Sequence, residues 1–201
     1  RVYAGNYSGA IRISSTGIFT RVNSWTGTVT LTGTTAQLPT GLTYLSINSS
    51  SIALTGTTAQ LPTGLTILSL SGNSITLTGT TAQLPTGLTY LYINSSSITL
   101  TGTTAQLPTG LTYLQLNGSS ITLTGSATAW RTASMRYIYI SAYGLATATD
   151  VDNLLIALSG VTSWITEKLV DLRGAGNAAR TAASNAAVST IQGYGVTVLT
   201  N

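Results

Sequence analysis

The fold of this chain is decided by the stretch Leu54–Thr76, which reads LTGTTAQLPTGLTILSLSGNSIT and begins again with little change at Leu77. Similar segments also start at Leu31 and Leu100, so the period is 23 residues. A fixed period of this length is typical of proteins in which every repeat is one structural unit stacked on its neighbours.

Apolar residues take the same places in every repeat. The stretch Leu-Thr-Tyr-Leu-x-Ile, as at Leu88–Ile93, is predicted to point its side chains alternately in and out with period two, as a half-buried strand does. One repeat cannot bury its apolar residues alone, whereas stacked coils bury them in one elongated core. The sequence therefore predicts a solenoid whose stacked 23-residue coils form a parallel β-sheet. Pro62 lies just outside the predicted strand, and Gly64 is expected to allow the turn beside it.

The run from Leu61 to Ile75 reads LPxxLxxLxLxxNxI and resembles the leucine-rich repeat, in the LP form of bacterial leucine-rich proteins. The resemblance covers residues 29–145 and implies a leucine-rich-repeat solenoid of short coils with little helix. The family's buried asparagine is matched only at Asn73, because the same column elsewhere holds Ser50, Ser96 and Ser119. Serine reaches less far than asparagine, so a weaker ladder is expected.

Both ends depart from the repeat. Residues 1–28 are predicted to form an irregular N-terminal cap before the solenoid of residues 29–145. Trp130 stands where the next repeat leucine would fall, and one inserted residue moves the following strand to the stretch from Met135. Residues 146–201 predict an α/β C-terminal cap of longer, helix-bearing repeats. Its expected elements are a helix at Val151–Leu158, a strand at Leu169–Leu172, a helix from about Asn177 to Gln192 closed by Gly193, and a strand at Val196–Leu199.

Charge is sparse and confined to the ends. Hydrophobic residues make up 43% of the chain, enough for a continuous core, but only 6% of residues are charged. No Asp, Glu, Lys or Arg occurs between Arg21 and Arg131. Nucleic-acid binding needs clustered Lys and Arg, so it is not expected. No apolar run approaches the ~20 residues that span a bilayer, so membrane insertion is not expected either.

Residues suited to catalysis are scarce. The chain has no His and no Cys, which removes the commonest metal ligand and general base. Asp150 and Asp152 fall in the first turn of a predicted helix, where capping explains them better than acid/base chemistry or cation binding. The segment Gly174–Ala179 satisfies G-x-G-x-x-A, but no acidic residue follows it to contact a ribose. We predict a plain turn there, and no enzyme, cofactor or metal.

Tyrosines are predicted to cluster on the outward face of the repeat sheet. One outward column holds Ile67 among tyrosines, and the adjacent column holds Ser46 and Ser69. Tyrosine offers a flat ring with a polar tip, which suits a sugar ring or a partner protein. The alternative is that the rings only stabilise the sheet by cross-strand packing. The candidate binding face comprises Tyr44, Tyr90, Tyr92, Tyr113, Gln115, Tyr137 and Tyr139.

Threonines form a second regular surface. They flank inward-facing leucines in a Thr-x-Thr pattern, and the array resembles the ice-binding surfaces of insect type. Threonine is also simply a good residue for an exposed strand position. The predicted flat face comprises Thr30, Thr32, Thr76, Thr78, Thr99, Thr101, Thr122 and Thr124.

These features favour a non-enzymatic structural component of an extracellular or virion assembly, such as an appendage, fibre or decoration protein. An uncharged flank can pack on identical subunits or on neighbouring structural proteins without charge repulsion. The alternative is an adhesin or receptor-binding module that holds a glycan or protein on its tyrosine face, with ice binding as a minor alternative. The family resemblance places either one outside a cell, on a cell surface or on a virion, including that of a bacteriophage.

Overall fold

The computed structural model describes residues 21–22, 31–48, 52–72, 74–118, 120–128, 135–141 and 144–201. The predictions for most of residues 1–28 and for Thr30, Asn73 and Trp130 lie outside these ranges, as do those for Ser50 and Ser119. The repeat region contains strands β1 (Arg21–Val22), β2 (Leu31–Thr34), β3 (Tyr44–Asn48), β4 (Ile52–Thr57), β5 (Ile67–Ser71), β6 (Ile75–Thr80), β7 (Tyr90–Asn94), β8 (Thr99–Thr103), β9 (Tyr113–Asn117) and β10 (Ile121–Thr124). The rest comprises β11 (Met135–Ile140), α1 (Ala148–Ser159), β12 (Trp164–Asp171), α2 (Asn185–Gly193) and β13 (Thr197–Leu199).

The described strands form two parallel β-sheets, which confirms the predicted parallel architecture with few helices. The tyrosine sheet has eight strands in the order β1-β3-β5-β7-β9-β11-β12-β13. The threonine sheet has five strands in the order β10-β8-β6-β4-β2. Four successive repeats therefore supply one strand to each sheet, and the chain alternates between the two as it advances.

The two sheets differ in register. In the tyrosine sheet, equivalent residues of successive repeats lie opposite each other, as Tyr44 does with Ile67. In the threonine sheet, Ile121 lies opposite Leu100 rather than its repeat equivalent Ile98, a slip of two residues. Side chains alternate between faces with period two, so this slip keeps the leucines inside and the threonines outside.

The core lies between the two sheets and is built from the predicted apolar columns. In the second repeat, Leu65, Leu68 and Leu70 are at most 1% exposed. Burying a leucine side chain completely contributes roughly 1.5–3 kcal/mol. Because the repeats stack on each other, the same buried leucine positions recur in adjacent strands. The core columns continue through β11 to Leu145 and α1, whose buried residues include Leu154 and Leu155.

The turn that connects the two sheets does not need the glycine that the sequence predicted for it. Pro62 is buried, and its carbonyl accepts a hydrogen bond from the backbone N–H of Leu65 at 3.2 Å. A Cβ on Gly64 would lie 3.7 Å from the nearest backbone oxygen, an ordinary contact, so this turn does not require glycine. Glycine is needed instead at Gly56, in β4, because its φ of +138° is a backbone conformation that other residues rarely adopt.

The C-terminal region confirms the helix at Val151–Leu158 within α1. The strand predicted at Leu169–Leu172 is found as the last part of a longer β12, which ends at Asp171, one residue before Leu172. The prediction of a second helix from Asn177 is wrong in its start, because α2 begins at Asn185. The prediction of Gly193 as the closing glycine is also wrong. Gly193 is the last residue of α2, and the left-handed residue after the helix is Gly195, with φ +76°.

Candidate functional site

The parallel register of the tyrosine sheet brings three tyrosine rings into one stack. The ring centroids of Tyr90 and Tyr113 lie 4.3 Å apart at an interplanar angle of 10°. Tyr137 continues the stack 4.8 Å from Tyr113 at 11°, and Tyr139 lies 6.3 Å from Tyr137. Aromatic pairs of this kind contribute about 0.5–1.5 kcal/mol beyond the area that they bury. The stack therefore stabilises the sheet, and its outer edges form a rigid surface.

The phenols of this stack stay protonated well above neutral pH. Burial of the ring raises the pKa of Tyr113 from its ordinary value of 10.0, and neighbouring tyrosines raise it further. Burial likewise raises the pKa of Tyr90 and of Tyr137. The Tyr113 hydroxyl donates a hydrogen bond to Oε1 of Gln115 at 2.7 Å. The surface is thus made of neutral hydroxyl groups on stacked rings.

A gap interrupts the tyrosine column at Ile67, because this shorter side chain stands where the next two repeats have tyrosine. The result is a notch of about 310 Å³ that opens to solvent. Tyr44 and Tyr90 line it from the two neighbouring strands, and Ser46 and Ser69 line it from the adjacent column. The predicted tyrosine face therefore divides into a filled stack around Tyr113 and this notch.

The other predicted members of the face lie beside the stack. Tyr92 is half-buried, and its hydroxyl accepts a hydrogen bond from Nδ2 of Asn94 at 3.3 Å. At the far end, Arg136 forms an ion pair with Glu167, with 3.7 Å between Nη2 and Oε1. Both side chains are well exposed, so this pair adds less than about 1 kcal/mol.

The threonine sheet presents an uncharged hydroxyl surface. Thr76, Thr78, Thr99, Thr101, Thr122 and Thr124 are all exposed. Because of the two-residue slip, Thr78 lies opposite Thr99, so each threonine column crosses the repeats diagonally. The side chain of Thr32 lies outside the described residues, as does Thr30. The array has the usual sheet spacing of about 4.8 Å between strands.

Each repeat also buries one threonine that the repeat pattern does not predict to be buried. Thr58 is 3% exposed, and its hydroxyl donates to Oε1 of Gln83 at 3.1 Å. The same amide oxygen accepts the backbone N–H of Thr80 at 3.0 Å, so the contact joins two repeats. Its equivalents join Thr35 to Gln60 and Thr81 to Gln106. The sequence feature that indicates this contact is the Gly-Thr-Thr-Ala-Gln run, which is identical in four repeats.

Of the predicted serine column, the structure describes only Ser96, and the buried serine there is its neighbour Ser95. Ser96 is exposed, whereas Ser95 is 3% exposed and donates its hydroxyl to the carbonyl of Gly72 at 2.9 Å. A buried asparagine is instead found at Asn177. Its Nδ2 donates to the carbonyls of Ile140 and Leu172, and its Oδ1 accepts the backbone N–H of Leu145 at 2.9 Å.

Asn177 belongs to the Gly174–Ala179 segment, and these contacts explain that motif structurally. A Cβ on Gly174 would lie 1.4 Å from the carbonyl oxygen of Ser141, so the glycine permits a close approach of two backbones. No helix follows the segment directly, since residues 178–181 are irregular before a 3-10 turn at Ala182–Ser184. The plain-turn interpretation agrees with this arrangement, although the turn does not lead straight into a helix.

The acidic residues hold local structure. Asp150 completes a capping box with Thr147 and also accepts the backbone N–H of Gly125 at 2.9 Å. Asp152 is 5% exposed and accepts hydrogen bonds from Thr181 and Ser184. Burial alone would raise the pKa of Asp152, but these hydrogen bonds outweigh it and lower the pKa. The Arg173 guanidinium lowers the pKa of Asp171.

Within the described ranges, no group of three or more acidic, histidine or cysteine side chains is placed to hold a metal ion. Neither α1 nor α2 has the length and apolar character needed to cross a membrane. No protein-family model, curated protein or solved structure matches this chain.

Proposed function

We propose that this chain is a leucine-rich-repeat solenoid that serves as a non-enzymatic structural component of an extracellular or virion assembly, such as an appendage, fibre or decoration protein. The observation that carries the proposal is the threonine sheet, which is exposed and belongs to a stretch without any charged residue. Its expected partners are identical subunits or neighbouring structural proteins.

The physical argument concerns association between flat uncharged surfaces. Net charge normally keeps protein surfaces apart, and its absence over a long face removes that barrier. Threonine hydroxyls can be satisfied across an interface directly or through trapped water, while their methyl groups supply apolar area. Neighbouring strands are equally spaced in the threonine sheets of two subunits, so the threonine columns of one subunit can align with those of the other.

The test is the assembly state, measured by light scattering coupled to size exclusion, with electron microscopy of the same sample. We expect filaments, rings or a regular lattice from the wild type. A double variant, Thr78→Lys with Thr99→Lys, places two charges on neighbouring strands and should abolish assembly through repulsion. The matched control is Thr63→Lys, because Thr63 is exposed in the turn between the two sheets. A wild type that stays monomeric across micromolar concentrations would contradict the proposal.

A second function is favoured by the notch beside Ile67. We propose that the tyrosine face also binds a glycan or a protein, as an adhesin or receptor-binding module does. The neutral phenols and the rigid stack supply contact area at a low entropic cost. This function is compatible with the first, because the two sheets face opposite sides of the core.

A further inference from the structure

We infer that the notch between Tyr44 and Tyr90 is a subsite for one pyranose ring of a neutral glycan. The inference rests on the second function proposed above, binding at the tyrosine face, and names the place and the chemical class of the ligand. It is independent of assembly through the threonine sheet.

The chain contains a filled version of the same arrangement. The Tyr113 ring lies between Tyr90 and Tyr137, with its centroid 4.3 Å and 4.8 Å from theirs. Tyr44, Ile67 and Tyr90 occupy the corresponding positions on three successive strands. The isoleucine is shorter than a tyrosine, so the space above it is open between two aromatic side chains. A six-membered ring placed there would take the position between two tyrosines that the Tyr113 ring takes one strand beyond Tyr90.

The lining favours a sugar over a flat aromatic group. A pyranose ring has apolar C–H faces and a rim of hydroxyl groups, which matches tyrosine walls combined with polar neighbours. The Ser46 and Ser69 side chains lie along one side of the notch, where their hydroxyls can exchange hydrogen bonds with that rim. An aromatic side chain from a partner would cover these hydroxyls without bonding them, and unsatisfied polar groups are costly to bury.

The absence of charge selects a neutral ligand. The notch belongs to the stretch between Arg21 and Arg131, which has no ionisable side chain other than tyrosine. Burial raises the pKa of the Tyr90 phenol, so this wall is uncharged at neutral pH. None of the residues that line the notch is charged, so sialic acids, uronic acids and sulfated sugars would find no cation among them, whereas hexoses and N-acetylhexosamines need none. The charged residue nearest in register is Arg21, which lies opposite Tyr44 on the side away from Ile67.

The next repeat supplies substitutions that fill the notch without a foreign residue. Tyr90 and Tyr92 are the repeat equivalents of Ile67 and Ser69. In Ile67→Tyr the new ring should join the stack between Tyr44 and Tyr90, and Ser69→Tyr should obstruct the adjacent column. Both variants are expected to fold, since the sheet already carries tyrosine at both places one strand away.

The experiment is saturation-transfer NMR with neutral oligosaccharides of glucose, galactose and N-acetylglucosamine at millimolar concentration. We expect the wild type to saturate the C–H protons of one sugar ring. Ile67→Tyr and Ser69→Tyr should each weaken this binding about tenfold or more, and Tyr44→Ala should weaken it at least several-fold through loss of a wall. The matched control is Tyr194→Ala, which removes an exposed tyrosine of the C-terminal region outside the tyrosine face and should bind like the wild type. Circular dichroism checks that each variant folds.

Three results would overturn the inference. One is the absence of saturation of any neutral sugar by the wild type. Another is undiminished sugar binding by Ile67→Tyr. The third is saturation of p-cresol, used as a tyrosine mimic, without any sugar, which would identify the occupant as an aromatic side chain. Sugar binding that survives in Ile67→Tyr but is lost in Tyr92→Ala would reject the notch while leaving the tyrosine face as a binding surface.

Discussion

At the scale of single residues, the glycines of the threonine sheet matter because a buried threonine lies against them. A Cβ on Gly79 would lie 1.8 Å from Oγ1 and 2.9 Å from Cβ of Thr58. Gly79→Ala must therefore displace Thr58 and weaken its bond to Gln83. We expect a loss of roughly 1–3 kcal/mol in the free energy of unfolding, as overpacked cores show.

Denaturant unfolding measures this loss, and Gly41→Ala is the control. A Cβ on Gly41 would have no atom within 4 Å, and its φ is not left-handed. Its substitution should leave stability unchanged or raise it slightly, by restricting the unfolded chain. Equal losses in the two variants would mean that the contact with Thr58 is not the cause.

The stacked tyrosines predict how the protein responds to alkali. Burial raises the pKa of Tyr113, Tyr90 and Tyr137 above the ordinary 10.0. A raised pKa in the folded state contributes stability that is present below pH 10.0 and is lost as the pH rises through the folded values. The phenolate absorbance of these three tyrosines should thus appear above pH 10.0 and coincide with unfolding. Tyr113→Phe keeps the ring and should reduce the absorbance change that accompanies unfolding, and a titration of all tyrosines that is complete near 10.0 would contradict this account.

The sequence predicted which residues of each strand point inward, but not every buried one. Leucines alternating with polar residues settle the two faces of a strand without knowledge of the partner strands. Thr58 is different, because threonine is ordinarily a good exposed strand residue and its burial depends on a glycine and a glutamine of the next repeat. The notch needed the structure as well. The sequence places Ile67 in the tyrosine column, but the open space between Tyr44 and Tyr90 is evident only in the structure.

At the scale of elements, Asp152 joins helix α1 to the segment that leads into α2. It accepts hydrogen bonds from the backbone N–H of Thr181 at 3.0 Å and from the hydroxyl of Ser184. Asp152→Asn keeps the shape but removes the charge from these bonds. We expect a loss of about 1.5–3 kcal/mol at neutral pH, the range for hydrogen bonds to charged groups.

The pH dependence identifies the carboxylate as the cause. The pKa of Asp152 lies below its ordinary 3.8 in the folded protein, so its contribution is complete well above 3.8 and is lost as the pH falls through the folded value. The difference in stability between the wild type and Asp152→Asn should therefore shrink on acidification, as measured by urea unfolding. Glu167→Gln, at an exposed residue, is the control. If the difference in stability between the wild type and Asp152→Asn did not change with pH, the charge of Asp152 would not be its cause.

The same contacts explain why the second helix was predicted too long. Residues 177–184 have the alanine-rich composition of a helix, and local propensity alone extends α2 over them. Asn177 instead bonds backbone groups of β11 and of two loops, and Asp152 fixes Thr181. Apart from Leu172, these partners lie 29 to 37 residues away along the chain, so no local pattern reveals them. Helix α1 was placed well because Thr147 and Asp150 form its cap from within the element itself.

At the scale of the whole molecule, the repeat region is held together by contacts between neighbouring repeats. Thr66 donates its hydroxyl to the carbonyl of Thr43, and Thr89 does the same to Thr66. The buried threonines and the stacked tyrosines also make their contacts between neighbouring repeats. Stability in such an arrangement is close to a sum over repeats and over the interfaces between them. A whole repeat is therefore the unit that can be removed without disturbing the rest.

Deletion of Leu77–Thr99 tests this directly, because it joins Thr76 to Leu100 and leaves the repeat pattern unbroken. In the shortened protein, Tyr113 takes the place of Tyr90 beside Ile67, so the notch keeps two tyrosine walls. We expect the same shape of circular dichroism spectrum, cooperative urea unfolding at a lower midpoint, and an m-value smaller by about a tenth, in proportion to the surface removed. Deletion of Leu77–Leu88 removes only part of the repeat. It leaves two residues of β6 and joins Thr76 to Thr89, just before β7, so the threonine sheet loses a strand. That variant should lose the cooperative transition. If both deletions unfolded alike, the repeat would not be the structural unit, and the proposed solenoid would have to be abandoned.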